Sequence, residues 1–184
     1  RGTRVARRAL RAECVRRAAC RGWGEPWGLA LFGGAGTRER DLPEALNFAA
    51  VFHLPVVFFV QNNQYAISVP RAHQSVAPSL AHKAVGYGMA GERVDGNDVI
   101  AVRDAAQRAV ERARTEQQPC LVEAVSFRLR GHSVVDPAKY RSKEEVELAQ
   151  HGDPVPAMRG RLIEAVVLAR QRAARMASEV DSAV

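Results

Sequence analysis

The residue types that could do chemistry fall in three short stretches. The first is a glycine-rich turn, Gly33-Gly34-Ala35-Gly36, lying between an apolar run and a helix signature in "LFGGAGTRERDLPEALNF" (31–48). A strand, a glycine turn and a helix start in that order suit a loop that holds a phosphate, or a metal-bound phosphate, at a helix N-terminus. The turn itself carries no carboxylate for a cation. The second stretch is "QNNQY" (61–65), a set of amide side chains closing an apolar run. The third is "FRLRGHSVVDPAKYR" (127–141), where His132 stands among Arg128, Asp136, Tyr140 and Arg141. Taken singly, each has a bland explanation: a strand-to-helix connection, an asparagine turn, a loop histidine. The turn lacks the lysine and the glycine spacing of the P-loop and of the dinucleotide fingerprint.

The elements that must position these stretches follow from periodicity. Residues 29–32 read as a short buried strand. Asp41 reads as an N-cap, with Glu44 three residues on completing a capping box. Leu42, Ala45, Leu46, Ala49 and Phe52 give the following helix one apolar face. The run 55–60, "PVVFFV", is apolar throughout, the pattern of a strand covered on both sides. Further on, the patterning predicts a helix over 79–88, a strand near Val94 and a helix over 99–114 on Val99, Val102, Ala106, Ala109, Val110 and Ala113. A strand over 120–127, a polar loop over 128–141 and helices over 142–150 and 156–180 complete the chain. Alternating strands and helices imply an α/β fold, a mostly parallel sheet with helices on both faces. Ligands of such sheets bind outside the carboxyl ends of the strands. Loops 33–41, 62–65 and 128–141 all fall there, so the candidate sites share one rim.

Composition narrows the function. The chain has 184 residues, 47% of them hydrophobic and 26% charged, a globular profile. Its net charge of +7 sits wholly in residues 1–22, where eight arginines face one acid, Glu13. The remaining 19 basic and 19 acidic residues balance, leaving no basic stripe for a nucleic-acid backbone. No apolar run approaches the roughly 20 residues of a membrane helix, and no apolar signal core opens the chain. Cys14, Cys20 and Cys120 have no metal-ligand spacing, which suits a reducing compartment. The expectation is a protein of neither membrane nor nucleic acid.

Together the three stretches resemble the thiamine-diphosphate fold. The chain is similar, more specifically, to the alpha subunit of the decarboxylating component of 2-oxo acid dehydrogenase complexes, of pyruvate or branched-chain type. Residues 36–61, 26 positions, separate Gly33-Gly34-Ala35 from Asn62-Asn63, which is the family spacing. "EALNFAAVFHLPVVFFVQNNQYAIS", "KAVGYGMAGERVDGNDVIAV" and "RGHSVVDPAKYRSKEEVE" carry the likeness onward. It covers residues 29–184, the thiamine-diphosphate-binding domain, and leaves 1–28 as an Arg-rich segment outside it.

The resemblance implies that Asn63 offers its side-chain oxygen, and Tyr65 its backbone carbonyl, to a magnesium ion bridging the cofactor's phosphates. Gly33, Ala35, Gly36, Gln61, Asn63, Ala66 and Ile67 would line the diphosphate and thiazolium region. Arg128 would contact phosphate, and His132 would be the catalytic histidine. The implied reaction is oxidative decarboxylation of a 2-oxo acid with acyl transfer to a lipoyl group. The implied partners are a beta subunit, which carries the activating glutamate, and the lipoyl acyltransferase component. Two alpha and two beta chains would assemble, in the cytoplasm of a bacterium or the mitochondrial matrix of a eukaryote.

Two departures from the family pattern stand out. Where the family reads "GDGATSEGD", this chain reads "GGAGTRERD", so Gly34 stands in place of the metal-binding acid. Hard cations favour anionic oxygen, so weakened magnesium and cofactor binding is expected, with Glu39 the nearest acid that could substitute. A longer N-terminal part precedes the turn in the family, which suggests that the chain is a fragment. A non-catalytic subunit that keeps the fold and the beta-subunit surface is the alternative.

Overall fold

The computed structural model describes residues 27–38 and 40–183. Most of the Arg-rich segment, with Cys14 and Cys20, lies outside the described residues. Six strands are present among them: β1 (Gly28–Gly33), β2 (Val56–Asn62), β3 (Tyr65–Ala66), β4 (Val69–Pro70), β5 (Ala90–Asp95) and β6 (Cys120–Val125). The helices are α1 (Asp41–Val51), α2 (Val99–Thr115), α3 (Lys143–His151), α4 (Pro154–Glu164) and α5 (Arg170–Ala183). Strands β1, β2, β6 and β5 form one parallel sheet in that order, while β3 and β4 form a small antiparallel hairpin.

The period-two alternation of β2 explains the two-sided core. Val56, Phe58 and Val60 pack with Ala30, Leu121 and the α1 residues Leu42, Ala45, Leu46 and Ala49. Val57 faces the other way, with Cys120 and Val122, against Ala105, Ala109 and Ala113 of α2. Each fully buried Val, Leu or Phe contributes about 1.5–3 kcal/mol relative to exposure, so these two layers hold the sheet. A stripe of alanines at i, i+4 and i+8 lets α2 lie close on the strands. The parallel sheet is as the sequence implies, but β1, expected as a buried strand over 29–32, lies at the sheet edge with only Ala30 buried and with Leu29 and Leu31 exposed.

Several elements end differently from the sequence reading. Asp41 is the first residue of α1, and Arg40 occupies the cap position without a side-chain cap bond. Phe52 lies beyond the helix end and is half exposed, its ring tilted against that of Phe48 rather than in the core. In α2 the buried stripe is Ala105, Ala109 and Ala113, while Val99 is exposed. The segment 79–88 forms a 3-10 helix over Ala81–Tyr87 instead of an α-helix. The expected single helix over 156–180 is two, α4 and α5, broken where Val166 takes a left-handed φ of 57°. Side-chain caps at Asp98, Ser142 and Asp153 start α2, α3 and α4. Among the described residues no helix is long and apolar enough to cross a membrane.

Candidate functional site

Strand β1 runs straight into a 3-10 turn, Gly34–Arg38, which contains Ala35 and Gly36; Gly33 is the last residue of the strand and pairs with Gln61. Thr37 Oγ1 donates to the Gly34 carbonyl at 2.7 Å, and Lys83 Nζ donates to the Thr37 carbonyl at 3.1 Å. Burial, then the nearby Arg38 and Arg71, pull the Lys83 ammonium below the usual lysine range. A Cβ on Gly34 would sit 3.3 Å from Asn62 Oδ1 and 3.5 Å from Leu80 Cδ1. The glycine turn therefore meets the asparagine loop at Asn62, one residue before the expected ligand. Glu39 lies outside the described residues.

The loop after β2 folds on its own amide side chains. Gln64 N donates to Asn62 Oδ1 at 3.1 Å, and Tyr65 N donates to Asn63 Oδ1 at 3.2 Å. Gln64 and Ile67 both take left-handed backbone, with φ of 68° and 57°. A β-branched residue rarely does so, so Ile67 is held there against a local cost of order 1–3 kcal/mol. Tyr65 and Ala66 are buried, while Gln61 and Ile67 are exposed. The Tyr65 hydroxyl bonds both oxygens of Glu145, at 2.8 and 2.9 Å. Burial and that carboxylate raise the pKa of the phenol.

The loop after β6 reaches back to the same place. Arg128 Nη2 donates to the Ile67 carbonyl at 2.6 Å and to the Tyr140 hydroxyl at 2.8 Å. Its Nη1 lies 3.4 Å from His132 Nδ1. Asp136 organises the tip, accepting from His132 N at 2.6 Å, Tyr140 Oη at 2.7 Å and Ala138 N at 2.9 Å. Those donors, the His132 N–H foremost, bring its carboxyl down to about 2. Arg141 closes the loop by donating Nη1 to the Arg128 carbonyl. Its guanidinium sits 5.5–5.9 Å from the Phe127, Tyr140 and Tyr65 rings, within cation–π range.

Asn63, Tyr65, Ile67, Arg128 and His132 thus share one rim, linked through the Arg128–Ile67 bond. A cleft of about 550 Å³ lies beside it, lined among others by Asn62, Tyr65, Arg71, Glu123, Phe127 and Glu145.

The donors present suit an anion better than a cation. Arg128 Nε is a buried N–H without a partner among the described residues, and such a donor favours an anionic oxygen. For a metal, the expected protein oxygens are neutral, the Asn63 carboxamide and the Tyr65 carbonyl. Among the described residues no three His, Cys, Asp or Glu side chains gather into a metal site. Magnesium is usually held by one or two carboxylates together with phosphate and water. The described residues fit a diphosphate and fall short of a complete magnesium site.

Residues 18–184 match the dehydrogenase E1 component family, and the chain belongs to that family. It is 54% identical over 132 residues to the 3-methyl-2-oxobutanoate dehydrogenase subunit alpha of Mycobacterium tuberculosis, covering 71% of this chain and 36% of that one. It is 41% identical over 157 residues to the 2-oxoisovalerate dehydrogenase subunit alpha of Bacillus subtilis, covering 85% and 48%. The pyruvate dehydrogenase E1 component subunit alpha of Porphyra purpurea is 41% identical over 134 residues, covering 73% and 39%. The chain spans less than half the length of these curated relatives.

Sequence reasoning passes over Glu123 and Asn62. Glu123 is one letter in the strand "CLVEAVSF", and a lone acid in an apolar run is the available signal. Asn62 is overshadowed by its neighbour, since two adjacent asparagines do not reveal which one turns inward.

Proposed function

We propose that this chain supplies the alpha-subunit face of a thiamine-diphosphate site in a 2-oxo acid dehydrogenase. The reaction is oxidative decarboxylation of pyruvate or a branched-chain 2-oxo acid, with acyl transfer to a lipoyl group. The observation that carries this reading is the arginine bridge: Arg128 joins the Ile67 carbonyl to Tyr140 and stands beside His132. The cofactor, when bound, supplies the electron sink that makes loss of carbon dioxide possible.

This chain's own residues bind and orient. Arg128 offers its unpartnered Nε to a phosphate oxygen. Ile67, locked in its left-handed conformation, presents an exposed side chain at the rim where the cofactor's ring would rest. His132, at the exposed end of the loop, holds a proton within reach of a substrate entering from outside. Asn63 and Tyr65 add neutral oxygens for magnesium. A beta subunit completes the pocket, the lipoyl acyltransferase receives the product, and the bacterial cytoplasm or the mitochondrial matrix is the setting.

A second reading rests on Gly34. With neutral oxygens as the expected ligands, the chain is a subunit that keeps the fold and binds no cofactor. The two separate in a calorimetric titration of thiamine diphosphate and magnesium into the complex with its beta subunit. Magnesium-dependent binding, strengthened by Gly34→Asp and weakened by Asn63→Ala, supports the enzyme. Silence in both the parent complex and the Gly34→Asp complex leaves the non-catalytic subunit.

A further inference from the structure

We propose that Glu123 is a positioning residue, one that sets the shape of the asparagine loop from inside the sheet. The inference rests on the proposed cofactor site only for its functional meaning. Glu123 lies on β6, opposite Val60 of β2 and Arg93 of β5, and is 1% exposed. Its Oε1 accepts from Asn62 Nδ2 at 2.6 Å, and its Oε2 accepts from Ala81 N at 2.9 Å. Both bonds are buried.

The chemistry of the pair dictates orientation. An acid whose two oxygens both accept can face only the NH₂ end of a carboxamide. Asn62 Oδ1 must then point away, toward Gln64 N, which donates to it at 3.1 Å. That bond caps the left-handed turn at Gln64, from which Asn63, Tyr65 and Ile67 are displayed. Asn62 Oδ1 also stands where a side chain on Gly34 would arrive. The second oxygen, through Ala81, ties in the start of the 3-10 segment Ala81–Tyr87, next to Leu80, whose methyl also flanks Gly34. One carboxyl group therefore ties the asparagine loop to the start of the 3-10 segment, with Gly34 of the glycine turn packed against Asn62 and Leu80.

Stability alone does not account for this residue. Its neighbours Leu121, Val122 and Ala124 on β6 are apolar and buried. Burying an ionisable group there is costly, and a well-packed apolar residue of similar size is often as stable or more so. What an apolar residue would lose is the single orientation of the Asn62 carboxamide.

The test compares Glu123→Gln with the exchanged pair Asn62→Asp/Glu123→Gln in the full 184-residue chain, free of cofactor. In the single variant, the introduced NH₂ turns toward Asn62 when its carbonyl keeps the bond from Ala81 N. The Asn62 carboxamide must then flip and present its own NH₂ to Gln64 N. The exchanged pair relieves that conflict. Its new amide donates to the new carboxylate, which still accepts from Gln64 N, while the amide carbonyl accepts from Ala81 N. Amide hydrogen exchange at Gln64 is the readout, with thermal melting alongside. Glu123→Gln is expected to speed exchange at Gln64 about tenfold beyond the change elsewhere in β2 and β6. The exchanged pair is expected to restore protection. Uniform acceleration across the sheet, or no change at Gln64, overturns the proposal. If Glu123→Gln does not fold, the exchanged pair decides: folded with Gln64 protected supports it, and unfolded or unprotected overturns it. Thiamine diphosphate titrated into the assembled complex forms a separate arm. Protection restored with no cofactor bound by any form would sink the proposed function while the positioning role stands.

Discussion

Arg128 and Ile67, 61 positions apart in sequence, meet through a 2.6 Å bond from guanidinium to carbonyl. The bond fixes the last rim loop against the one residue of the asparagine loop whose backbone is most strained for its type. It also engages Arg128 through Nη2, while Nε is buried without a protein partner among the described residues.

Arg128→Lys should weaken thiamine diphosphate binding in the alpha–beta complex by about tenfold or more. A lysine keeps the charge but cannot reach the Ile67 carbonyl, Tyr140 and a phosphate oxygen from one planar group. Calorimetric titration measures it, and an unchanged affinity would show that the bridge is only structural.

Asp136 gives the rim loop an acid limit. Its folded pKa, about 2, lies below the ordinary carboxylate value. Its support for the loop is therefore complete above that ordinary value and disappears as pH falls through about 2. The amide resonances of His132 and Ala138 should titrate together with that low midpoint and lose the titration in Asp136→Asn. A midpoint near the unperturbed value of about 4 would contradict the hydrogen-bond assignment.

Gly91→Ala should destabilise the chain by about 2 kcal/mol or more, because the added methyl would lie 2.3 Å from the Ala81 carbonyl oxygen. The obstruction is backbone, so the 3-10 segment must move off β5. Chemical denaturation reads the loss; a variant as stable as the parent would mean that the segment shifts freely.

Arg141→Met should cost about 2 kcal/mol and lower Tm by about 4–8 °C. The change removes the bond to the Arg128 carbonyl and the stacking on Tyr65, Phe127 and Tyr140. A melt that does not move would place Arg141 outside the forces that hold the loop.

The sheet was legible because its signals are local. "PVVFFV" is apolar in every position, and β2 is accordingly covered on both faces. The 99–114 helix was legible for the same reason, although which alanines face inward depends on where the helix crosses the sheet. The 3-10 geometry of Ala81–Tyr87 was not legible, since the segment docks on β5, with Ala81 close to Gly91, through contacts distant in sequence. The sequence reading puts three candidate segments on one rim, and the structure brings Gly34 up to Asn62 and Arg128 to the Ile67 carbonyl. The partner of each side chain was not: Asn62 and Asn63 are chemically identical, and only Glu123, on another strand, distinguishes them.

The break between α4 and α5 offers an experimental convenience. Val166 and Val167 stand 89% and 73% exposed there, in an irregular turn of the kind proteases enter first. A single cut at that point would detach only the final helix and leave all three rim segments on one uninterrupted polypeptide. A clipped preparation should therefore still report faithfully on ligand recognition.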